Sequence, residues 1–356
     1  MFKKIIRDII IVFCFCALWA STSRYAMKYI TDKRDFDTWW GLGQLNHGDL
    51  ASMSHLDYLP NFYSPETNNL KRAKDIGSKN TVVFLHGDSY TWKLGDSVFA
   101  GICQYQFVGW NSPFKYHLDS TKRNILIIES AERLVREYFS STKIIEELSD
   151  TILDNRYPKL SSISFRPKIF CGFLSAINAD LFFNKYINQN LACNLFNYNF
   201  MAPLFGLKAS INYFLFSRAS GDVTISNNKQ YLFYRQTLSP EGTSSSFSPL
   251  PQQQTDRIVD NLNAIYDYYK RSGFDEVYLS IIPSTVTVIQ PAGYNNLIPS
   301  IQNHSRLKMP VIDVYSVFKL NDQDYFLHGD THWSIEGKQK WIDMVNDRLV
   351  NDRKSL

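Results

Sequence analysis

The chain has 356 residues, 44% of them hydrophobic and 20% charged, with 25 Phe, 21 Tyr and 7 Trp, which excludes intrinsic disorder and supplies ample material for a large core. Against 34 acidic residues stand 38 basic ones, a net charge of +4 that is too weak and too dispersed for a nucleic-acid partner. The length suits one α/β domain with an insertion as well as two domains.

At the N-terminus, Lys3, Lys4 and Arg7 precede an uninterrupted apolar run from Ile9 to Ala20, the pattern of an export signal or a membrane anchor. Cleavage after Ala20 would put bulky Leu18 where a small side chain is needed, so residues 1–24 are expected to remain as a signal anchor. A buried core helix is the alternative, because the run itself is shorter than the roughly 20 residues of a comfortable span. Positive charge on both sides leaves the orientation equivocal, while the large C-terminal body without a second hydrophobic span favours export. Cys14 and Cys16 lie in the apolar run, and Cys16 lacks the small residues that precede a lipidated cysteine. Cys103, Cys171 and Cys193 remain, an odd number without metal-type spacing. They allow one disulfide, and the sequence does not choose it.

Residues 25–78 read as a juxtamembrane linker and irregular cap, including Trp39-Trp40-Gly41-Leu42-Gly43. An ordered pattern begins at Thr81-Val82-Val83-Phe84-Leu85, which reads as a buried strand, and a helix is expected beyond the turn that follows. A second strand at Asn124-Ile125-Leu126-Ile127-Ile128 and a helix from Glu129 to Phe139 extend the alternation. That order predicts a parallel sheet flanked by helices, in a domain spanning 79–356.

The stretch from about 140 to 248 interrupts the rhythm and reads as a mainly helical insertion. It holds helical candidates near Leu174–Asn188 and Pro203–Phe216, and a hairpin pairing Val223–Ser226 with Gln230–Tyr234. Substrate selection is the natural role for such an insertion. Beyond it, Thr255 is expected to cap a helix that buries Ile258, Leu262, Ile265, Tyr266 and Tyr269. Val277–Ile282 and Pro310–Val314 read as further strands. Ser334 is expected to cap a last helix burying Trp341, Ile342, Val345 and Leu349.

Two short segments carry the chemistry. In Leu85-His86-Gly87-Asp88-Ser89-Tyr90, Ser89 falls in the turn at a strand's carboxyl end, where open α/β sheets place their sites. In His328-Gly329-Asp330-Thr331-His332-Trp333-Ser334, an acid and an imidazole lie two positions apart before a helix. Ser89 as nucleophile, His332 as base and Asp330 as the acid orienting it would form a catalytic relay. The Ser89 backbone N–H is one oxyanion donor. The second is unknown, and the strand ends near 129–131 or 283–285 are the places to seek it. Tyr90 and Trp333 are candidate sugar contacts as well as packing residues. A second Gly-Asp-Ser, at 95–97, does not follow an apolar strand and is expected in or beside a helix. A metal centre built from His86, Asp88, His328, Asp330 and His332 is a rival reading, that of a metal-dependent hydrolase. A noncatalytic subunit that binds or assembles polysaccharide is another.

Gly-Asp-Ser-Tyr after a strand, together with Asp-Thr-His-Trp-Ser-x-x-Gly over 330–337, resembles the SGNH hydrolase superfamily, and within it the alginate O-acetyltransferase-like branch. The resemblance covers roughly 79–139 and 250–350. It implies a flavodoxin-like three-layer α/β fold, no cofactor, and Ser89, His332 and Asp330 as the catalytic residues. It also implies O-acetylation of an exported polysaccharide on the outer side of a bacterial inner membrane, with carbohydrate O-acetyl esterase activity as the alternative, since both share one acyl-enzyme. With one hydrophobic segment in the chain, the acetyl donor is expected to be a multi-span membrane partner. The middle segment and a superfamily-type Gly and Asn pair of oxyanion donors have no match.

Overall fold

A computed structural model describes residues 2–23, 26–27, 29, 48–57, 59–62, 70–73, 79–149, 187–196, 199–219, 221–320 and 324–351. The Trp39-Trp40 segment, most of Leu174–Asn188 and Cys171 lie outside these residues. The chain forms two compact units, one of Met1–Asn46 with Asn155–Phe216 and one of His47–Asp154 with Ser217–Leu356.

In the first unit, α1 (Phe2–Thr22) is a 21-residue helix long and apolar enough to cross a membrane. At 1.5 Å per residue it reaches about 31 Å, the thickness of a bilayer's hydrocarbon core. Helix begins well before the apolar run because Ile5 and Ile6 extend it, and Arg7 and Asp8 pair with each other at 2.9 Å. Cys14 and Cys16 are free and exposed on it.

The second unit is built on a four-stranded parallel sheet of order β2-β1-β4-β8. Its strands are β1 (Thr81–Gly87), β2 (Ile102–Gly109), β4 (Arg123–Ala131) and β8 (Glu276–Ile282). Two residues each suffice for β3 (Phe114–Lys115) and β5 (Leu148–Ser149), which pair with one another. Alternation along the central strands divides the core. Val82, Phe84, Leu126, Ile128, Val277 and Leu279 face α7 (Gln252–Arg271) through Ile258, Leu262, Ile265 and Tyr269. Val83, Leu85, Ile125, Ile127 and Tyr278 face α11 (Ile335–Asn351) through Trp341, Ile342, Val345 and Leu349. Both sheet faces are therefore covered, as purely parallel sheets require. Each fully buried large side chain contributes about 1.5–3 kcal/mol of transfer free energy. Trp341 adds polar anchoring, because its indole N–H donates to Ser280 Oγ at 2.9 Å.

Between β4 and α7 run α3 (Glu132–Tyr138) and α4 (Ile144–Glu147), then, in the first unit, α5 (Ile187–Phe196) and α6 (Ala202–Phe216). The hairpin β6 (Val223–Ile225) and β7 (Leu232–Tyr234) forms as the sequence predicts. It belongs to the sheet's unit rather than to that of α5 and α6, and Leu232 N–H donates to His328 O at 2.8 Å.

Four expectations need correction. Residues 129–131, read as the start of a helix, complete β4 instead, and the helix begins at Glu132. No helix follows Ser89 directly: the chain turns, places a 3-10 turn at Asp96–Val98 and enters β2. The reason is local, since Lys93 adopts φ 63° and interrupts any helical run. β2 was hidden because it is an edge strand with exposed Cys103 and Gln104 in place of an apolar run. Helix α7 begins one turn before Thr255, with Pro251 preceding it, and Thr255 is buried inside. Pro310–Val314 makes only a single parallel bridge, Val311 to Leu279. Pro310 has no N–H to donate, and, after the short helices α8 (Thr285–Ile289) and α9 (Leu297–Gln302), Asp313 instead accepts Ser316 N–H at 3.0 Å to start α10 (Val314–Lys319).

Beside the site, β1 buries a titratable group that makes no use of its charge. His86 is wholly buried, stacks edge-on against Trp110 at 4.2 Å, and among the described residues has no hydrogen bond to either ring nitrogen. Glu147 Oε2, 3.9 Å from Nε2, is beyond hydrogen-bonding distance. Burial lowers its pKa to about 3. The unfolded chain then takes up a proton below about pH 6.5 that the folded chain refuses, so this stability is whole above that value and declines as pH falls. One proton corresponds to about 1.4 kcal/mol per pH unit, hence about 2 kcal/mol between pH 6.5 and 5. Denaturation of the detergent-solubilised protein at those two pH values is expected to show this loss in the wild type and its absence in His86→Leu. Equal losses in both would assign it to another group.

Candidate active site

The turn after β1 is shaped by glycine and aspartate. A Cβ on Gly87 would lie 2.5 Å from Thr91 Oγ1 and 2.6 Å from Glu129 Oε2, closer than any side chain tolerates. Asp88 then locks the turn, accepting Tyr90 N–H at 3.0 Å with Oδ1 and Ala131 N–H at 2.9 Å with Oδ2. Its own N–H donates to Glu129 Oε2 at 2.9 Å, which also accepts the Thr91 hydroxyl at 2.8 Å. Burial, reinforced by the neighbouring Asp88 charge, pushes the Glu129 carboxyl well above its ordinary range. Ser89 is left exposed at the tip of this braced turn.

The second segment repeats the device. Asp330 Oδ1 accepts His332 N–H at 2.9 Å, the same two-residue span that Asp88 bridges to Tyr90, and both are Asx turns. Gly329 is needed for close approach, since a Cβ there would meet Phe62 O at 2.2 Å.

These turns bring Ser89 Oγ and His332 Nε2 to 2.7 Å, and His332 Nδ1 and Asp330 Oδ1 to 2.5 Å. Burial works to raise the Asp330 pKa, but the hydrogen bonds and charge of His332 outweigh it and hold the carboxyl below its usual range. An ionised Asp330 can only accept, so Nδ1 carries the proton, Nε2 is the acceptor, and the Ser89 hydroxyl donates to it. That is the proton order a serine relay needs. Asp330, His332 and Ser89, 243 positions from its base, are thus brought together.

Of the two roles open to Tyr90 and Trp333, sugar contact and packing, their positions fit packing. Both are buried. Tyr90 donates its hydroxyl to Thr331 O, packs 4.8 Å from the His332 ring and stands perpendicular to Trp333. Trp333 Nε1–H donates to Tyr90 O at 3.1 Å. Together they hold the imidazole rather than meet solvent.

Sequence reasoning missed Asp49, in α2 (Asp49–Met53). Its backbone N–H donates to Asp330 Oδ2 at 3.0 Å, while its carboxylate accepts Thr331 N–H at 2.8 Å and the Thr331 hydroxyl. Burial first, and then the Asp330 charge, raise its pKa. Arg133, with Cζ 5.8 Å from the Tyr90 ring centre, brings positive charge near Asp88 and Asp49. A signal for Asp49 existed. His-Gly-Asp occurs at 47–49, 86–88 and 328–330, and each of the three aspartates holds a piece of this site.

The strand ends proposed for a second oxyanion donor are occupied at two positions. Ala131 N–H serves Asp88 and Ser284 N–H serves Glu132 Oε2. Ser89 N–H has no acceptor among the described residues. The five-residue metal set does not assemble: His86 is buried on Trp110, both Asp88 oxygens hold amides, and His328 pairs with Asp324. Among the described residues the one convergent ligand-type group is Asp49, Asp330 and His332, whose facing atoms are already spent on one another and on Thr331. Comparison with family models, curated proteins and solved structures finds no match.

Proposed function

We propose that the protein is a serine-dependent O-acyltransferase that acetylates an exported polysaccharide through an acetyl-serine intermediate, in the manner of the SGNH-like, alginate O-acetyltransferase-like branch. The observation that carries this reading is the unbroken relay from Ser89 Oγ through His332 to Asp330. The parallel α/β sheet, with Ser89 just beyond the carboxyl end of a central strand, supports it.

In the first half-reaction Ser89 Oγ attacks the acetyl carbonyl carbon as His332 Nε2 takes the hydroxyl proton. The oxyanion develops toward the Ser89 N–H, each such donor being worth about 3–4 kcal/mol. Collapse expels the donor's oxygen or sulfur, which leaves with the proton from His332, and acetyl-Ser89 remains. In the second half a sugar hydroxyl gives its proton to His332 and attacks the acetyl carbon, and Ser89 is released on reprotonation. Asp330 steadies the imidazolium in both halves. Water in place of the sugar makes the same site an acetyl esterase. Acceptor contacts fall to exposed groups rather than to Tyr90 or Trp333, and Trp92, with Lys93 Nζ 4.7 Å over its ring, is one such surface near Ser89 in the chain.

The site belongs outside the cytoplasm on this reading, with α1 as the anchor in a bacterial inner membrane and a multi-span membrane protein as acetyl donor. The experiment is incubation with a chromogenic acetyl ester followed by intact mass, then by oligosaccharides. One added acetyl group that moves to a sugar supports the transferase, and one lost equally fast without sugar indicates the esterase. No acetylated protein and no ester cleavage would overturn both.

A further inference from the structure

Helix α6 exposes one apolar face and buries the other. At 100° per residue, Leu204, Leu207, Ile211, Phe214 and Leu215 fall within one arc of about 100°, and each is 46% to 72% exposed. Opposite them Gly206, Ala209 and Tyr213 are buried. A soluble surface rarely carries five large apolar side chains in one stripe without something to cover it.

We infer that this face of α6 lies in the lipid bilayer, as a second membrane contact beside α1 in the same unit. Three observations select lipid as the occupant. First, α5 is fastened to the C-terminal end of α1: Asn190 Nδ2 donates to Ser21 O at 2.8 Å, and Asn194 Nδ2 to Ser21 Oγ at 2.9 Å. Five residues, three of them coiled in a 3-10 turn, separate the end of α5 from the start of α6. The short tether keeps α6 close to where the spanning helix leaves the membrane.

Second, α6 contains no Asp or Glu, and its one charge, Lys208, lies at the edge of the apolar arc, with Arg218 two residues past the helix. A lysine there can run its stem along the acyl chains and place its ammonium among phosphates. Third, fifteen residues reach about 22 Å, too short to cross a core of about 30 Å. The helix therefore lies in the interface, half sunk, with buried Gly206, Ala209 and Tyr213 turned away from the lipid. The inference rests on α1 spanning a membrane and is independent of the chemistry at Ser89.

The test uses the full chain in vesicles of phosphatidylethanolamine with a minority of phosphatidylglycerol. With the native cysteines replaced, an environment-sensitive fluorophore is attached at Ile211→Cys, at Phe214→Cys and, as the aqueous reference, at Asp260→Cys. Circular dichroism and a thermal scan matched to the wild type establish that each variant is folded. The expected result is a blue shift and a loss of emission at 211 and 214 with brominated lipids, stronger for bromine near the head group than near the methyl end, and no change at 260. Quenching at 211 and 214 by aqueous iodide, with no response to brominated lipid, would overturn the proposal. So would shielding from both quenchers, which would mean that protein covers the face, either a second copy or an added multi-span partner.

Discussion

Ser89→Ala is expected to abolish both acetyl-enzyme formation and turnover of an acetyl ester, lowering kcat by on the order of 10,000-fold to 1,000,000-fold. That loss corresponds to about 5–8 kcal/mol of transition-state stabilisation. The side chain sits at the exposed tip of a turn whose bracing comes from Gly87, Asp88, Thr91 and Glu129, none of which bonds to Ser89 Oγ. Removing that oxygen should leave the fold intact, so a thermal scan should match the wild type while activity disappears. Ser97→Ala, in the other Gly-Asp-Ser, is the matched control and should keep full activity, because it lies in the 3-10 turn before β2. An acetyl adduct on Ser89→Ala, or activity within about tenfold of wild type, would remove Ser89 from the nucleophile's role.

Legibility of this chain followed the strength of local patterns. The apolar runs that became β1, β4 and β8 were readable because strands buried on both faces are nearly continuously apolar, with Ser280 in β8 the one polar residue within its run. The last helix was readable from Trp341, Ile342, Val345 and Leu349, and its cap from Ser334, whose hydroxyl accepts Gly337 N–H at 3.2 Å. β2 was not, because neither a continuous apolar run nor a clean alternation marks it, with Cys103 and Gln104 exposed side by side and Gln106 half-buried. The relay could be guessed from Ser89 after a strand and Asp330 beside His332. Asp49 could not be placed by any strand or helix pattern, since it acts through its backbone and its contact with Thr331. Only the threefold recurrence of His-Gly-Asp pointed to it. Tyr90 and Trp333 show the converse. Flanking the relay, they read as sugar contacts or as packing residues, and the structure buries both, Tyr90 beside the His332 ring and Trp333 perpendicular to Tyr90.

The two carboxylates around His332 should separate sharply when each is altered. Asp330 Oδ1 accepts from both the backbone N–H and the ring Nδ1 of His332, and Oδ2 from Asp49 N–H. In Asp330→Asn one of these positions becomes an N–H donor, and if it faces the ring, Nδ1 must accept, which leaves Nε2 protonated against Ser89. The wrong tautomer and the lost negative charge together predict a fall in kcat of on the order of 10,000-fold. Asp49→Ala keeps the backbone N–H that serves Asp330 and loses only the grip on Thr331, so it should cost about 100-fold through loosened geometry. The pH behaviour separates them further. Because the folded Asp330 pKa is depressed, the stability it contributes is present above the ordinary carboxyl value and lost as pH falls through the lower folded one. Asp49, raised by burial, works in the opposite sense, favouring the fold at low pH and losing that advantage as pH rises through its folded value. Denaturation midpoints below pH 5 should therefore hold up better than wild type in Asp330→Asn and worse in Asp49→Ala, each relative to its own value at neutral pH. Equal kinetic losses in the two variants would mean that Asp330 does no more than Asp49, holding the loop without orienting the base.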